Sequence, residues 1–200
     1  MRKTRMLPMK KLTVLLLLPL AGCIRFGAEP PPALLTLAPA APIAAGATQS
    51  SAQARSITVQ VPVVPQELAV TRVPVQSSAT SIAYVKEAQW VEPPARLFAR
   101  LLSDTLTSRA NMVVLNTRQG FVDPGAQLSG ELREFGIDAG RSEAVVVYDA
   151  TLQRAGSTAF EKRRFEARTP VATIDANTVG PAINQAANTI ATAVADWVRG

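Results

Sequence analysis

The chain has 200 residues, 21 Lys+Arg against 15 Asp+Glu, 48% apolar and 5% aromatic residues, 0 His and 1 Cys, which is material for one domain and not for two large ones. Without His, the commonest general base and metal ligand is missing, and a single Cys excludes an intramolecular disulfide or a Cys-rich zinc cage. The pI of 10.1 argues for an anionic partner only if the charge survives processing of the N-terminus.

Arg2, Lys3, Arg5, Lys10 and Lys11 precede the apolar run Leu12 to Leu20, and Ala21-Gly22-Cys23 follows. Charged, apolar and small-residue sections in this order read as an export signal over residues 1–22, whether translation starts at Met1 or Met9. The apolar run is about nine residues, roughly 14 Å as helix, while a bilayer span needs about 20 residues. Leu20-Ala21-Gly22-Cys23 resembles the lipobox of bacterial lipoproteins, in which cleavage falls before the Cys and acyl chains are placed on it. The plainer alternative is an ordinary signal peptide with an incidental Cys. Removing residues 1–22 takes away five cations and no anion, so 16 Lys+Arg remain against 15 Asp+Glu. That balance, without an aromatic-studded basic patch, excludes nucleic acid as the expected partner. Residue 24 is Ile, not the Asp that retains lipoproteins in the inner membrane under enteric-type sorting. By resemblance to that rule, the protein is expected lipid-anchored in the outer membrane, facing the periplasm.

Residues 23–55 carry the lipidation candidate Cys23 and a Pro/Ala-rich stretch with Pro30-Pro31-Pro32, Pro39 and Pro42, which reads as a flexible tether with a reach of tens of ångströms. Within it, Ala33-Leu34-Leu35-Thr36-Leu37 has the composition of a short edge strand. The folded body is expected over residues 56–200. Ile57, Val59, Val61 and Val63 alternate with Thr58, Gln60 and Pro62, predicting a strand that ends near Pro62 or lies at an edge. Leu68 to Val73 and Ser81 to Lys86 read as further strands around a turn at Ser77-Ser78. Trp90 precedes Pro93-Pro94, and is assigned packing against the first helix in preference to contact with a partner or ligand. That helix has the i,i+4 rows Leu97/Leu101 and Phe98/Leu102/Leu106, with Arg96, Arg100, Asp104 and Arg109 largely on its solvated side. Met112 to Leu115 is a short strand.

Leu128–Asp138, Glu143–Gln153 and Ser157–Arg168 form an antiparallel meander. Ala144, Val146, Tyr148, Ala150 and Leu152 share the core parity. Leu128 and Leu132 have opposite parity to Phe135 and Ile137, which requires a bulge near Arg133. Lys162-Arg163-Arg164 guards an exposed edge strand or, in the alternative, forms a basic docking patch. A final helix is expected from near Thr178, with Pro181 in its first turn, Val179, Ile183, Ala186, Ile190, Val194 and Trp197 as its apolar stripe, and Asn184, Gln185, Asn188, Thr192 and Asp196 on the opposite face. The fold class is α+β, a largely antiparallel sheet with two amphipathic helices packed on it, behind a lipidated tether.

The order of lipobox, Leu35-Thr36-Leu37, Ile57-x-Val59-x-Val61-x-x-Val64-Pro65-x-x-Leu68, Tyr84, and Gln89-Trp90-Val91-Glu92-Pro93 leading into Leu97, Leu101 and Leu106 resembles the ABC-type transport auxiliary lipoprotein family. Glu67-Leu68-Ala69 stands where relatives often have Tyr-Leu-Asp. The resemblance implies an auxiliary, non-catalytic docking component of an ABC-type lipid transport system between the two membranes. Its implied partners are a periplasmic mammalian-cell-entry-type protein and the ABC transporter components, with the outer membrane engaged through acyl chains. No cofactor or metal is expected, and a homo-oligomer is left open. The alternative is a structural or regulatory envelope lipoprotein that binds a cell-wall synthase or assembly machine. An enzyme is the most distant reading, since Asp104, Asp123 and Asp149 belong to no paired motif.

Overall fold

The computed structural model describes residues 33–120 and 125–200; the export signal, Cys23 and Asp123 lie outside the described residues. Seven strands and two long helices form the body. In chain order they are β1 (Ser56–Val59), β2 (Arg72–Ser78), β3 (Ser81–Gln89), α1 (Pro94–Ala110), β4 (Val113–Leu115), β5 (Ala126–Asp138), β6 (Glu143–Gln153), β7 (Phe160–Pro170) and α2 (Ala176–Arg199). A 3-10 turn at Gln66–Leu68 and one helical turn at Thr117–Gly120 link them.

β5 is the axis of the sheet. Along one edge it pairs antiparallel with β6, which pairs antiparallel with β7. Its other edge is divided, with β1 parallel beside Ala126 to Leu128 and β2 parallel beside Ile137 and Asp138. β4 extends the sheet beyond β1 in parallel, and β3 extends it beyond β2 antiparallel. The sheet is therefore mixed, and its three parallel pairings add to the meander expected from sequence. The register slips between Leu132 and Glu134, leaving Arg133 as the extra residue of a bulge. That slip puts Leu132 and Phe135 on the same face, so all the apolar residues of β5 reach the core.

Both helices pack on that face. α1 begins at Pro94, where the missing N–H would have no helical partner, and ends at Asn111, whose left-handed φ of 49° stops it. It buries Leu97, Phe98, Leu101, Leu102 and Leu106. α2 buries Val179, Ile183, Ala186, Ile190 and Val194. It starts at Ala176, two residues earlier than expected, because the Asp175 carboxylate accepts from the N–H groups of Asn177 and Thr178 at 2.9 and 3.1 Å and caps the helix there. Pro181 consequently lies in the second turn and not the first. At the far end, the last carbonyls are met by arginines: Arg154 donates to Val198 O at 3.1 Å and Arg55 to Arg199 O at 2.9 Å, which suits the negative end of the helix dipole.

Other expected boundaries shift as well, β7 running Phe160–Pro170 where Ser157–Arg168 was expected. Leu68 sits in the 3-10 turn after Pro65, not in a strand, and β2 starts at Arg72, where Val73 and Val75 take up burial. The hairpin then turns at 79–80, beyond Ser77-Ser78. β1 ends before Pro62 and is an interior strand, flanked by β4 and β5.

Candidate functional site

Trp90 lies at the hinge between sheet and helix layer, 1% exposed. Its ring centroid is 5.5 Å from Phe135, Phe135 is 6.3 Å from Phe98, and Phe98 is 5.2 Å from Tyr148. This row of tilted and edge-on rings runs through the core, in the geometry aromatic quadrupoles favour. The backbone N–H of Trp90 donates to Thr71 O at 2.7 Å. Its indole Nε1 has no acceptor among the described residues, a cost of about 1–3 kcal/mol for a buried donor, which burial of the ring outweighs. The ring is enclosed and offers no face to a ligand.

Beside Trp90 the chain makes a strap. Leu35 N–H donates to Gln89 O at 2.7 Å and Val91 N–H to Leu35 O at 2.9 Å, so Leu35 adds one parallel rung to the sheet at Trp90. From there residues 35–40 run along α2. Leu35 presses on Gly180, where a Cβ would come within 2.8 Å of the Leu35 Cδ2. Asn184 Oδ1 accepts from Ala38 N–H at 2.9 Å, Asn188 Oδ1 accepts from Ala40 N–H at 2.7 Å, and Asn188 Nδ2 donates to Ala38 O at 2.9 Å. Two asparagines one helical turn apart thus satisfy both polar groups of Ala38 and one of Ala40. Further on, Gln49 Nε2 donates to Thr107 O at 3.5 Å, and Arg55 reaches the end of α2. The expectation of a free tether up to Arg55 is corrected here: the chain is held to the body from Leu35, because Leu35 and Leu37 pack against the core while the Asn amides take up the intervening backbone. On the polar face of α2, Asn184 and Asn188 find their partners in this same chain.

The sheet face away from the helices carries charge. Arg164 Nε and Nη2 donate to the two Asp149 oxygens at 2.6 and 2.7 Å, and Arg133 stands 3.7 Å from Asp149 and 3.3 Å from Glu131. The Arg164 hydrogen bonds hold the Asp149 carboxyl below the usual carboxylate range. Arg168 pairs with Glu166 at 2.7 Å, Asp138 at 3.2 Å and Glu143 at 3.5 Å. Between these pairs Val145 and Val147 are buried, although no helix covers them. A small groove of about 40 Å³ lies beside Gly136, lined by Pro74, Ile82 and Val145 among others. Asp104, on α1, is raised above the usual range by burial, opposed by Arg100. It lies on the helical side of the sheet and Asp149 on the other, so the two cannot share a substrate.

β7 is the outer strand beyond β6. Lys162, Arg163 and Arg164 are exposed along it. Arg163 stands over the Phe165 ring at 5.1 Å, Arg164 is bound to Asp149, and Lys162 has no ion pair among the described residues. Of the residues considered from sequence, the structure brings Trp90 to the strap and disperses the carboxylates. The short edge strand expected at Ala33 to Leu37 is present as the single rung at Leu35; what was missed is the clamp on α2, although Asn184 and Asn188 share one helix face.

Over residues 35–195, from the strap to the last turns of α2, the chain matches the family described as ABC-type transport auxiliary lipoprotein component. No curated protein matches it. A crystal structure of a Xanthomonas campestris protein of the DUF330 family is similar with a TM-score of 0.64 and 20% identity, covering 84% of this chain and 92% of that one. A second crystal structure, of an uncharacterized protein, is similar with a TM-score of 0.61 and 19% identity over 72% of this chain and 92% of its own. At these identities the likeness is one of fold.

Proposed function

The chain belongs to the ABC-type transport auxiliary lipoprotein component family, and from that premise we propose that it is a non-catalytic docking component of a lipid transport system, anchored through Cys23 in the outer membrane. The family match over residues 35–195 carries this reading. In it, acyl chains on Cys23 hold the protein at the periplasmic surface of the outer membrane. The body receives the periplasmic end of a mammalian-cell-entry-type protein that works with the ABC transporter. The dispersal of the titratable groups supports binding over catalysis, since Asp149 is fixed by Arg164 and stands across the sheet from Asp104.

Crosslinking in whole cells, followed by identification of the captured envelope proteins, tests the proposal. Capture of a mammalian-cell-entry-type protein and transporter subunits is expected. Capture of a cell-wall synthase or assembly machine in their place would establish the alternative envelope role. Mass spectrometry of the membrane fraction should show a mature chain beginning at lipid-modified Cys23, and a Cys23→Ser protein that is still cut at the same bond and still sediments with the outer membrane would end the anchoring part.

A further inference from the structure

We infer that the corner formed by Leu34, Val70 and Val91 rests on the phospholipid surface that holds Cys23, as a second and non-covalent membrane contact. The inference rests on the lipid-anchored reading above. Leu34, Val70 and Val91 are 51%, 36% and 52% exposed, three of the nine large apolar side chains left in solvent among the described residues. Backbone hydrogen bonds bring them together. The 35 and 89–91 segments are joined by Leu35 N–H to Gln89 O and Val91 N–H to Leu35 O, and Trp90 N–H donates to Thr71 O on the other side. Residues 34, 91 and 70 therefore fall on three chain segments joined by backbone hydrogen bonds at one end of the sheet, with 70 and 91 in the bends that flank β2 and β3.

The strap decides what this corner meets. A chain free from Cys23 to Arg55 would let the body wander over tens of ångströms. Because the chain is clamped at Leu35, only the residues between Cys23 and Leu34 separate the acyl chains from the corner. Eleven residues span at most about 40 Å fully extended, and about 18 Å as a flexible coil. The apolar corner is thus the part of the body tied nearest to the membrane. Its charges suit phosphates. Arg72, two residues beyond Val70 and stacked over the Tyr84 ring at 4.0 Å, and Arg96, in the first turn of α1, are exposed and have no ion pair among the described residues. Glu92 is engaged by Arg100. Apolar side chains at such a surface enter the boundary between headgroups and acyl chains, with the cations level with the headgroups.

The test uses the acylated mature protein in phosphatidylethanolamine/phosphatidylglycerol vesicles. Cys23 is the only native cysteine and its sulfur is blocked by acylation, so Val70→Cys, Val91→Cys and, as a control on the far edge strand, Phe160→Cys each give one thiol for an environment-sensitive fluorophore. Spin-labelled lipids should quench the probes at 70 and 91 several-fold more than the probe at 160, with a blue shift of their emission. Probes at 70 and 91 quenched no more than that at 160, on protein that floats with the vesicles, would overturn the corner and leave the anchor standing. A blue shift at 91 that appears only on adding a protein partner would assign the corner to that partner and overturn the membrane contact. Failure of the protein to float would defeat the anchor and the corner together.

Discussion

On the core side of β6, Ala144, Val146, Tyr148, Ala150 and Leu152 are closed off by two helices, whereas on the other side Val145 and Val147 have Arg168 and Glu166 opposite them on β7 and no helix over them among the described residues. Both sets are nearly inaccessible to water, but by different means. The core side is shut by rigid apolar packing in which each ring has a fixed neighbour, so removing one group leaves a hole that the surroundings fill only in part. The open side is shut by flexible stems whose charged ends share partners, so losing one leaves the others to rearrange. The comparison teaches that burial alone does not rank residues by their contribution to stability.

The largest effect should come from the aromatic row. Trp90→Ala and Phe98→Ala should each destabilise the body by about 3–5 kcal/mol in urea unfolding, with Trp90→Ala at the lower end because it also removes the unpaired indole donor. A Trp90→Ala protein that unfolds like the wild type but no longer captures its partner would transfer Trp90 from packing to docking and break the contrast at its strongest point.

This contrast was legible in the sequence on one side only. The core parity of β6, the bulge at Arg133 and the helical rows all follow from period-2 and i,i+4 spacing, because each depends on residues close in the chain. What escaped were features set by distant residues. β2 extends through Val75 and Gln76, where β5 offers Ile137 and Asp138 as partners, and no local pattern announces a parallel pairing across sixty residues. The strap was hidden by composition: prolines and alanines read as a tether, while the asparagines that bind it lie almost 150 positions away. The start of α2 was misplaced for a local reason, since Pro181 was given more weight than the capping carboxylate of Asp175.

Gly130 sharpens the comparison where the two faces meet. Its φ is 156°, and a Cβ there would come within 2.2 Å of the Asp149 carbonyl oxygen and 2.8 Å of the Tyr148 ring. Gly130→Ala must push β5 from β6 or move Tyr148, and the cost should be about 1–3 kcal/mol, typical of overpacking. Hydrogen exchange should then accelerate at the amides pairing residues 129–132 with 148–151, with the α1 amides little changed. Uniform acceleration throughout the body would show that the sheet does not yield locally.

The strap is intermediate between packing and surface. Asn188→Ala removes the bonds to both Ala38 and Ala40, and about 0.5–1.5 kcal/mol for each bond predicts a loss of about 1–3 kcal/mol. The effect should fall mainly on residues 35–40, read as faster exchange and earlier proteolysis there. Asn188→Asp keeps the acceptor for Ala40 N–H but sets a carboxylate against the Ala38 carbonyl, so it should not restore the wild-type resistance of residues 35–40 to proteolysis. If neither variant loosens residues 35–40, the Leu35 rung, the packing of Leu35 and Leu37 and the Asn184 bond to Ala38 suffice to hold the strap.

The smallest effect belongs to the open face. Arg164→Ala removes both hydrogen bonds to Asp149, yet Arg133 remains nearby and the pair is largely solvated, so stability near neutral pH should change little. The titration should change visibly. In the folded protein Asp149 is depressed below its ordinary 3.8, chiefly by Arg164, so the stability it contributes is present above about 3.8 and is lost as pH falls through the folded value. Arg164→Ala should move the Asp149 carboxyl resonance to a higher midpoint by NMR, and the stability difference between variant and wild type should shrink at acid pH. Asp104 has the opposite sign: burial raises it, so ionising it costs stability, and Asp104→Asn should help slightly at neutral pH and not in acid. An Asp149 midpoint indifferent to Arg164 would mean that the open face is ordered by its strands and that the charge ladder merely decorates it.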